Sequence, residues 1–352
     1  MTTTPASVTG LARHVKQDQG KVWIDRDLAF GPGEFASSVH GAHARILQTL
    51  GESLSYDDLV GFSAFAFRVG VHDEFCPSAG HPCCGYMCID NGFRALPWKC
   101  KIYEAFPWGE KRSDADRAAF EAEVHAAIKA SIDRGISVHY GGEEDGLIIG
   151  YADDGRRWWC VHPYHKPWND PFWHDEVTGF AGGKWPWAIV VWVEPKPADQ
   201  RVDQCELLIA ALTQAVDMWH SDKLYADHYY SGDAAYAHWL GWLRDVEAGK
   251  VDDPKAGMQG NGWCFDVLVQ NRRIAGRWLT ERADLLGGEA ADHLRAAAAE
   301  YAQIPGECLE GVECTWDLAP HPGKADQWTS AMRQKQIARL DGWMAERRLA
   351  LA

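Results

Sequence analysis

Glu143-Glu-Asp145-Gly-Leu-Ile-Ile-Gly-Tyr151, the turn Asp153-Asp154-Gly155, and Trp158-Trp-Cys-Val-His162-Pro-Tyr164 together spell a β-hairpin with ionisable groups at its open end. Asp-Asp-Gly between two apolar, β-prone runs is a hairpin signal, because Gly155 can take the positive φ that the last loop position needs. The register decides the chemistry. A three-residue loop closed by a bulge at Gly155 puts Glu144 and His162 on one face as diagonal neighbours, roughly 7–8 Å apart. A two-residue loop at Asp154-Gly155 offers Glu143 or Asp145 to His162 instead, since a one-residue slip flips every side chain. In both registers an acid approaches a histidine at the end of a sheet. The competing reading is a solvated acidic turn beside a surface histidine.

The surrounding chain is that of an ordinary folded protein. Its 352 residues suffice for two domains or one large one, and 46% hydrophobic with 24% charged residues is a globular composition. No apolar run reaches membrane-spanning length. Met1-Thr-Thr-Thr-Pro-Ala-Ser7 lacks the basic start and apolar stretch of a secretion signal, so a cytoplasmic location is the expectation. A net charge of −15, with the basic pairs Arg156-Arg157, Arg272-Arg273 and Arg347-Arg348 scattered, argues against a nucleic-acid partner. Ten cysteines in a chain of this size, without an export signal, read as reduced and mostly buried thiols. Eighteen tryptophans are unusual. Several follow core spacing, whereas Trp168, Trp173 and Trp185 stand in polar loops, where a flat aromatic can line a cleft.

Outward from the hairpin, helix and strand signals alternate over the first 195 or so residues. Ser38 opens a helix with Val39, Ala42, Ile46, Leu47 and Leu50 on one face, and Gly51 stops it. Phe65-Ala-Phe67-Arg-Val69 is strand-like. A second helix begins at the capping box Ser113…Asp116, carries the stripe Phe120, Val124, Ile128 and Ile132, and ends at Gly135. Ile136-Ser-Val138 predicts a short strand, and Ala188–Val193 an apolar one. Beyond Gln200 the pattern is helical, with segments Cys205–Trp219, a Ser231-capped helix through Leu243, Trp263–Leu286, Ala290–Tyr301 and Ser330–Leu349. These signals predict an α/β (α+β) domain with an antiparallel sheet over residues 1–196, then an all-helical domain over 197–352.

This order resembles the papain-like fold of bacteriocin-processing (C39-type) peptidases and of the butirosin-biosynthesis acyltransferase N-terminal domain. In that family a nucleophilic cysteine opens a helix and a glycine follows thirteen residues later; counting back from Gly51 reaches Ser38. The family's histidine opens an apolar strand ending Gly-Tyr, a slot held here by Glu144. Its acid precedes a proline after the hairpin, a slot held by His162 before Pro163. Gly232-Asp-Ala-Ala-Tyr236-Ala-His-Trp239-Leu-Gly-Trp-Leu243 matches a pattern found downstream in proteins similar to the family. The resemblance implies a papain-like cleft, with all three catalytic slots substituted. Three readings stay open: Ser38, Glu144 and His162 as nucleophile, acid and base; a pocket retooled to bind an amino-bearing ligand through Glu144 and Asp145; or a non-catalytic binding or scaffold domain. Ser38 also has a plain alternative as a helix N-cap.

Three further groups complete the candidates. Cys76, His81, Cys84 and Cys88 lie in a Gly/Pro-rich loop with one zinc-knuckle spacing, Cys84-x3-Cys88, but no second knuckle; buried thiols are the preferred reading and no metal is assigned. Arg68 is placed as a carboxylate binder, with a structural ion pair as its alternative. Trp158 and Trp173 are placed as walls of the site, and the run His162–His174 as an ordered loop over it. The expected partner is a small polar metabolite bearing an amine or amide, with acyl transfer or hydrolysis as the chemistry. No cofactor, nucleic acid or membrane is expected, and a homodimer is left open.

Overall fold

The computed structural model describes residues 8–30, 34–104, 113–142, 144–165, 171–175, 186–221 and 224–345. The expectations on Glu143, Trp168 and Trp185 lie outside them. The chain forms two compact units, one of residues 1–56 with 96–201 and one of residues 57–95 with 202–352. The return to the second unit at 202 lies close to the division expected at 196. Residues 57–95, placed by the sequence pattern in the first domain, belong to the second unit. The architecture is mixed α/β.

The first unit is built on an eight-stranded antiparallel sheet. Its strands are β1 (Val15–Asp18), β2 (Lys21–Ile24), β3 (Trp98–Glu104), β4 (Val138–Gly141), β5 (Gly146–Ala152), β6 (Arg157–Val161), β7 (Phe172–Asp175) and β8 (Ala188–Pro195). The main path runs β1-β2-β5-β4-β8-β3, with β6 on β5 and β7 on β6. β5 is the hub. It pairs with β6 over Leu147–Ala152, so β4 and β2 share its other edge, β4 at Gly146–Ile148 and β2 at Gly150–Ala152. Buried on both faces, β5 reads as the continuous apolar run Leu147-Ile-Ile149 rather than an alternation.

The predicted hairpin forms, with a different loop. Ala152 pairs with Arg157, leaving a four-residue connection, and a bulge between Ile148 and Gly150 resets the ladder. At the open end Leu147 is opposite Val161, the pairing that a three-residue loop gives. Gly155 has φ +92°, as expected, and Asp153 and Asp154 also take positive φ, which aspartate tolerates better than most residues.

Besides the single turn Val8–Leu11, the first unit has two long helices. α1 (Ser38–Leu50) ends on Gly51 at φ +74°, whose N–H bonds back to the helix carbonyls. Val39, Ala42, Ile46, Leu47 and Leu50 are all at most 2% exposed, each of the larger ones contributing about 1.5–3 kcal/mol by burial. α2 (Asp114–Asp133) starts at the predicted Ser113 cap, which accepts from the Asp116 N–H, and it buries Val124, Ile128 and Ile132.

The second unit is mostly helical, though not wholly so. Phe65–Phe67 is a 3-10 turn rather than a strand, because Ala64 takes φ +61° and turns the chain. The short strand that follows, Gly70–His72, pairs antiparallel with Tyr229–Ser231. The helices are Tyr56–Phe62, Ile89–Ala95, Gln204–Trp219, Gly232–Glu247, Lys255–Arg282, Gly288–Cys308 and Ser330–Ala345. The helix expected to end at Tyr301 runs on to Cys308 and takes Pro305 inside it. Ser231 stands at the N-cap position, but its hydroxyl donates to the Met218 carbonyl at 3.0 Å instead of capping the helix. All ten cysteines are free thiols.

Candidate functional site

The open end of the hairpin and the start of α1 supply one connected group of side chains. Ser37, not Ser38, caps α1: it has extended backbone and accepts from the His40 N–H. This removes the plain reading of Ser38 as a cap. Ser38 is the first helical residue, and its hydroxyl is 2.6 Å from Glu144 Oε2 and 3.3 Å from Asp145 Oδ2. The Asp145 N–H donates to Ser38 Oγ at 3.0 Å. A hydroxyl has one proton to give, and the shorter distance assigns it to Glu144.

The turn between β4 and β5 can bring two acids to this point because it is made of Gly141 and Gly142. A Cβ on Gly141 would stand 3.2 Å from Asp145 Oδ1, and one on Gly142 would stand 3.2 Å from the Glu144 carbonyl oxygen. Gly146 is needed for a different reason. A Cβ there would meet the Tyr140 ring at 2.5 Å, so only glycine lets that ring cross the start of β5.

Behind the serine the group continues inward. Asp145 Oδ1 is 2.6 Å from His139 Nε2, and His139 Nδ1 is 3.1 Å from His43 Nε2. Ser38, Asp145, His139 and His43 are 5%, 2%, 4% and 2% exposed. Burial, then the neighbouring imidazoles of His139 and His40, hold His43 well below the ordinary histidine pKa, while Asp145 acts in the other direction. The Trp192 ring closes the far end, edge-on to His43 at 5.7 Å.

His162 adjoins this group but does not reach the serine. Its Nδ1 accepts from the Tyr164 N–H at 3.2 Å, it hydrogen-bonds the backbone of Glu144, and its ring stacks on Tyr140 at 6.3 Å. Burial lowers its pKa, partly countered by the Glu144 backbone bond and by Asp145. Of the expected nucleophile, acid and base, the structure brings Ser38 and Glu144 into direct contact and puts His162 on the main chain behind the acid.

The expected binding residues divide. Asp145 lies behind Ser38, held by Ser38 and His139, rather than at a surface facing a ligand. Trp158 is 1% exposed and packs edge-on to His125 of α2 at 5.0 Å, which makes it core. Trp173 packs tilted against Trp159 at 4.7 Å, with Lys21 and Arg157 over its ring, toward the closed end of the hairpin. Arg68 belongs to the second unit, where it is 4% exposed and donates to the carbonyls of His81, Ala79 and Cys84. These carbonyls occupy a guanidinium that sequence reading offered to a ligand or an ion pair.

His43 and His139 were not singled out from the sequence. His43 had a signal: it stands four residues after Val39 and three before Ile46, inside the apolar stripe of its helix. His139 had none, because the strand was placed at Ile136–Val138, one residue short of it. Trp187 was also missed. It is 54% exposed, and its N–H donates to the Gly141 carbonyl at 2.9 Å, beside the turn that carries both acids.

For metals, the described residues bring together one group, His72, Asp73 and His228 of the second unit. His228 Nδ1 bonds Asp73 at 3.0 Å, His72 Nδ1 lies 2.9 Å from the same carboxylate while accepting from the Glu74 N–H, and the two rings lie 15° from parallel. This is an acid beside two stacked histidines. The cysteine loop does not converge: Cys76 Sγ accepts from Ser78, His81 Nδ1 accepts from the Cys83 N–H, and Cys88 is buried against Met218 with its pKa pushed up to about 11. No helix among the described residues is long and apolar enough to cross a membrane.

No protein-family model matches this chain, and comparison with curated proteins gave no match.

Proposed function

We propose that the first unit is a hydrolase or acyltransferase domain of papain-like type, acting on the amide or ester of a small polar metabolite, with Ser38 as nucleophile and Glu144 as general base. The observation that carries this reading is the 2.6 Å contact between Ser38 Oγ and Glu144 Oε2 at the first residue of a helix. Attack and proton transfer share one geometry there: as Oγ bonds to the carbonyl carbon, its proton passes to Glu144. The first-turn N–H groups of Ser38 and Val39 have no partner carbonyl within the helix, which makes them the donors for the oxyanion in this reading. Protonated Glu144 then gives its proton to the leaving amine or alcohol. Water or an acceptor amine releases the acyl group by the same steps in reverse. His162 fixes the acid through its backbone, and Trp187 offers an exposed aromatic face beside it. A half-buried carboxylate and an aromatic surface suit a substrate bearing an amine.

A second reading rests on a different feature of the same contact. Because Ser38 donates to Glu144 and accepts from the Asp145 N–H, its hydroxyl also ties the acid-bearing turn to α1. A domain that only binds an amine needs nothing more from the serine. Incubation with a fluorophosphonate, followed by peptide mass spectrometry, separates the two. Covalent labelling at Ser38, abolished in Ser38→Ala and strongly slowed in Glu144→Gln, is the expected result. An unlabelled Ser38 in a folded protein that still binds small amines overturns the catalytic reading in favour of the binder.

A further inference from the structure

The relay behind Asp145 is what the proposed chemistry leaves unused. It consists of a carboxylate and two imidazoles, all nearly excluded from water, joined end to end. Such groups are costly to bury unless their hydrogen bonds are all made, and here the pattern is satisfied in one direction. Asp145 Oδ1 accepts, so His139 Nε2 carries a proton. In neutral His139 that leaves Nδ1 as an acceptor, so His43 Nε2 must donate to it. The donors then run from His43 to His139 to Asp145. The consequence reaches the serine. An Asp145 carboxylate anchored by His139 holds its backbone N–H on Ser38 Oγ and leaves the Ser38 proton to Glu144, the nearer of the two acids.

We infer that His43 and His139 are positioning residues of the Ser38–Glu144 pair, with His43 holding the His139 ring at its Nδ1 and His139 in turn fixing Asp145. This rests on the reading of Ser38 as a nucleophile. Without a donor at residue 43, His139 Nδ1 is left buried and unpaired, and the ring tilts toward another partner. A tilted His139 loosens its bond to the Asp145 carboxylate, which then competes with Glu144 for the serine proton. The other titratable groups facing the relay are His40 on α1, Tyr140 on β4, Cys160 and His162 on the β6 side, and Glu144 on the turn.

The test compares two substitutions at one buried position. In His43→Gln the side-chain amide can still donate toward His139 Nδ1, whereas His43→Leu keeps the volume and loses the donor. With a fluorophosphonate as probe, the rate of Ser38 labelling across the pH range falls by about tenfold or more in His43→Leu. In His43→Gln it stays within about threefold of the wild type, with an unchanged pH profile. Equal loss in both variants, or loss in neither, overturns the proposal. Nitrogen-15 NMR of the imidazoles reads the relay without any activity. The wild type shows His139 protonated at Nε2 with a hydrogen-bonded Nδ1, and in His43→Leu the Nδ1 resonance moves to that of an unbonded nitrogen. A wild-type His139 found as the Nδ1–H tautomer overturns the proposal even where His43→Leu does not fold. If the wild-type serine is not labelled while the tautomer is as stated, the relay stands and the nucleophile reading is what fails.

Discussion

Each unit sets a carboxylate against a pair of histidines, and solvent gives the two groups opposite characters. In the first unit Asp145, His139 and His43 lie in the core, and burial drives His43 well below the ordinary histidine pKa. In the second unit Asp73 hydrogen-bonds an exposed His228, which raises the His228 pKa and lowers that of Asp73, while the part-buried His72 beside them is held below its ordinary value by burial. The residue types are alike, and the hydrogen bonds are of similar length. What differs is whether water can share the charge. Where it can, pairing favours the charged forms; where it cannot, the histidine at the end of the relay stays neutral and only directional N–H donation remains. The buried group is therefore suited to holding geometry, and the exposed one to responding to pH.

The largest expected effect comes from breaking the buried group at its centre. Asp145→Ala leaves the His139 Nε2–H buried without its acceptor, and by the usual cost of an unsatisfied buried donor it lowers the unfolding free energy by about 1–3 kcal/mol. Chemical denaturation measures this, and a loss within experimental scatter shows that the relay does not hold the turn. Glu144→Gln removes charge at the half-exposed end of the same site. It should leave the denaturation midpoint nearly unchanged while slowing Ser38 labelling by about 100-fold, a typical general-base contribution.

The neutral state of His43 gives the next effect, on stability against pH. Its folded pKa lies below the ordinary value of 6.5 that the unfolded chain approaches. Below that value the unfolded state takes up a proton that the folded state refuses, so stability falls as pH falls, by at most about 1.4 kcal/mol per pH unit for one group. Thermal melts from neutral to mildly acidic pH should show this slope in the wild type and a shallower one in His43→Gln. Identical slopes sink the claim that His43 is buried neutral.

How much of this was legible depended on the range of the interaction. The hairpin, the helix from Ser38 to Leu50 and its Gly51 stop were readable because local pattern and turn chemistry decide them. The contact of Ser38 with Glu144 spans 106 positions and came only from aligning slots against a family that the chain resembles. His139 escaped because strand ends are set by ladder partners, here Leu147 and Val190, rather than by their own sequence. Trp158 and Arg68 were misjudged for a common reason. An aromatic on a strand and a cation in a loop look the same in sequence whether they face a ligand, a helix or a set of carbonyls. The bulge at Ile149 shows the limit most sharply. The loop has one residue more than expected, yet the ladder at the open end returns to the register that places Glu144 and His162 together.

The smallest effect belongs to the exposed group. His228 has a raised pKa, so its pairing adds stability that is full below 6.5 and is lost as pH rises through the folded value; Asp73, lowered, adds stability above its unfolded value that is lost as pH falls through the folded one. The pairing is thus in force in mildly acidic solution, where His43 makes the first unit weaker. Asp73→Asn should return the His228 pKa toward 6.5 in an NMR titration while hardly moving the melting temperature, because an exposed pair is screened by water. Added salt should have the same direction of effect on His228, since ions screen an exposed charge, and should leave the His43 and His139 resonances in place. A His228 titration insensitive to both Asp73→Asn and salt means that Asp73 is not its partner. A salt-sensitive His43 means that water reaches the relay, and with that the contrast between the two groups disappears.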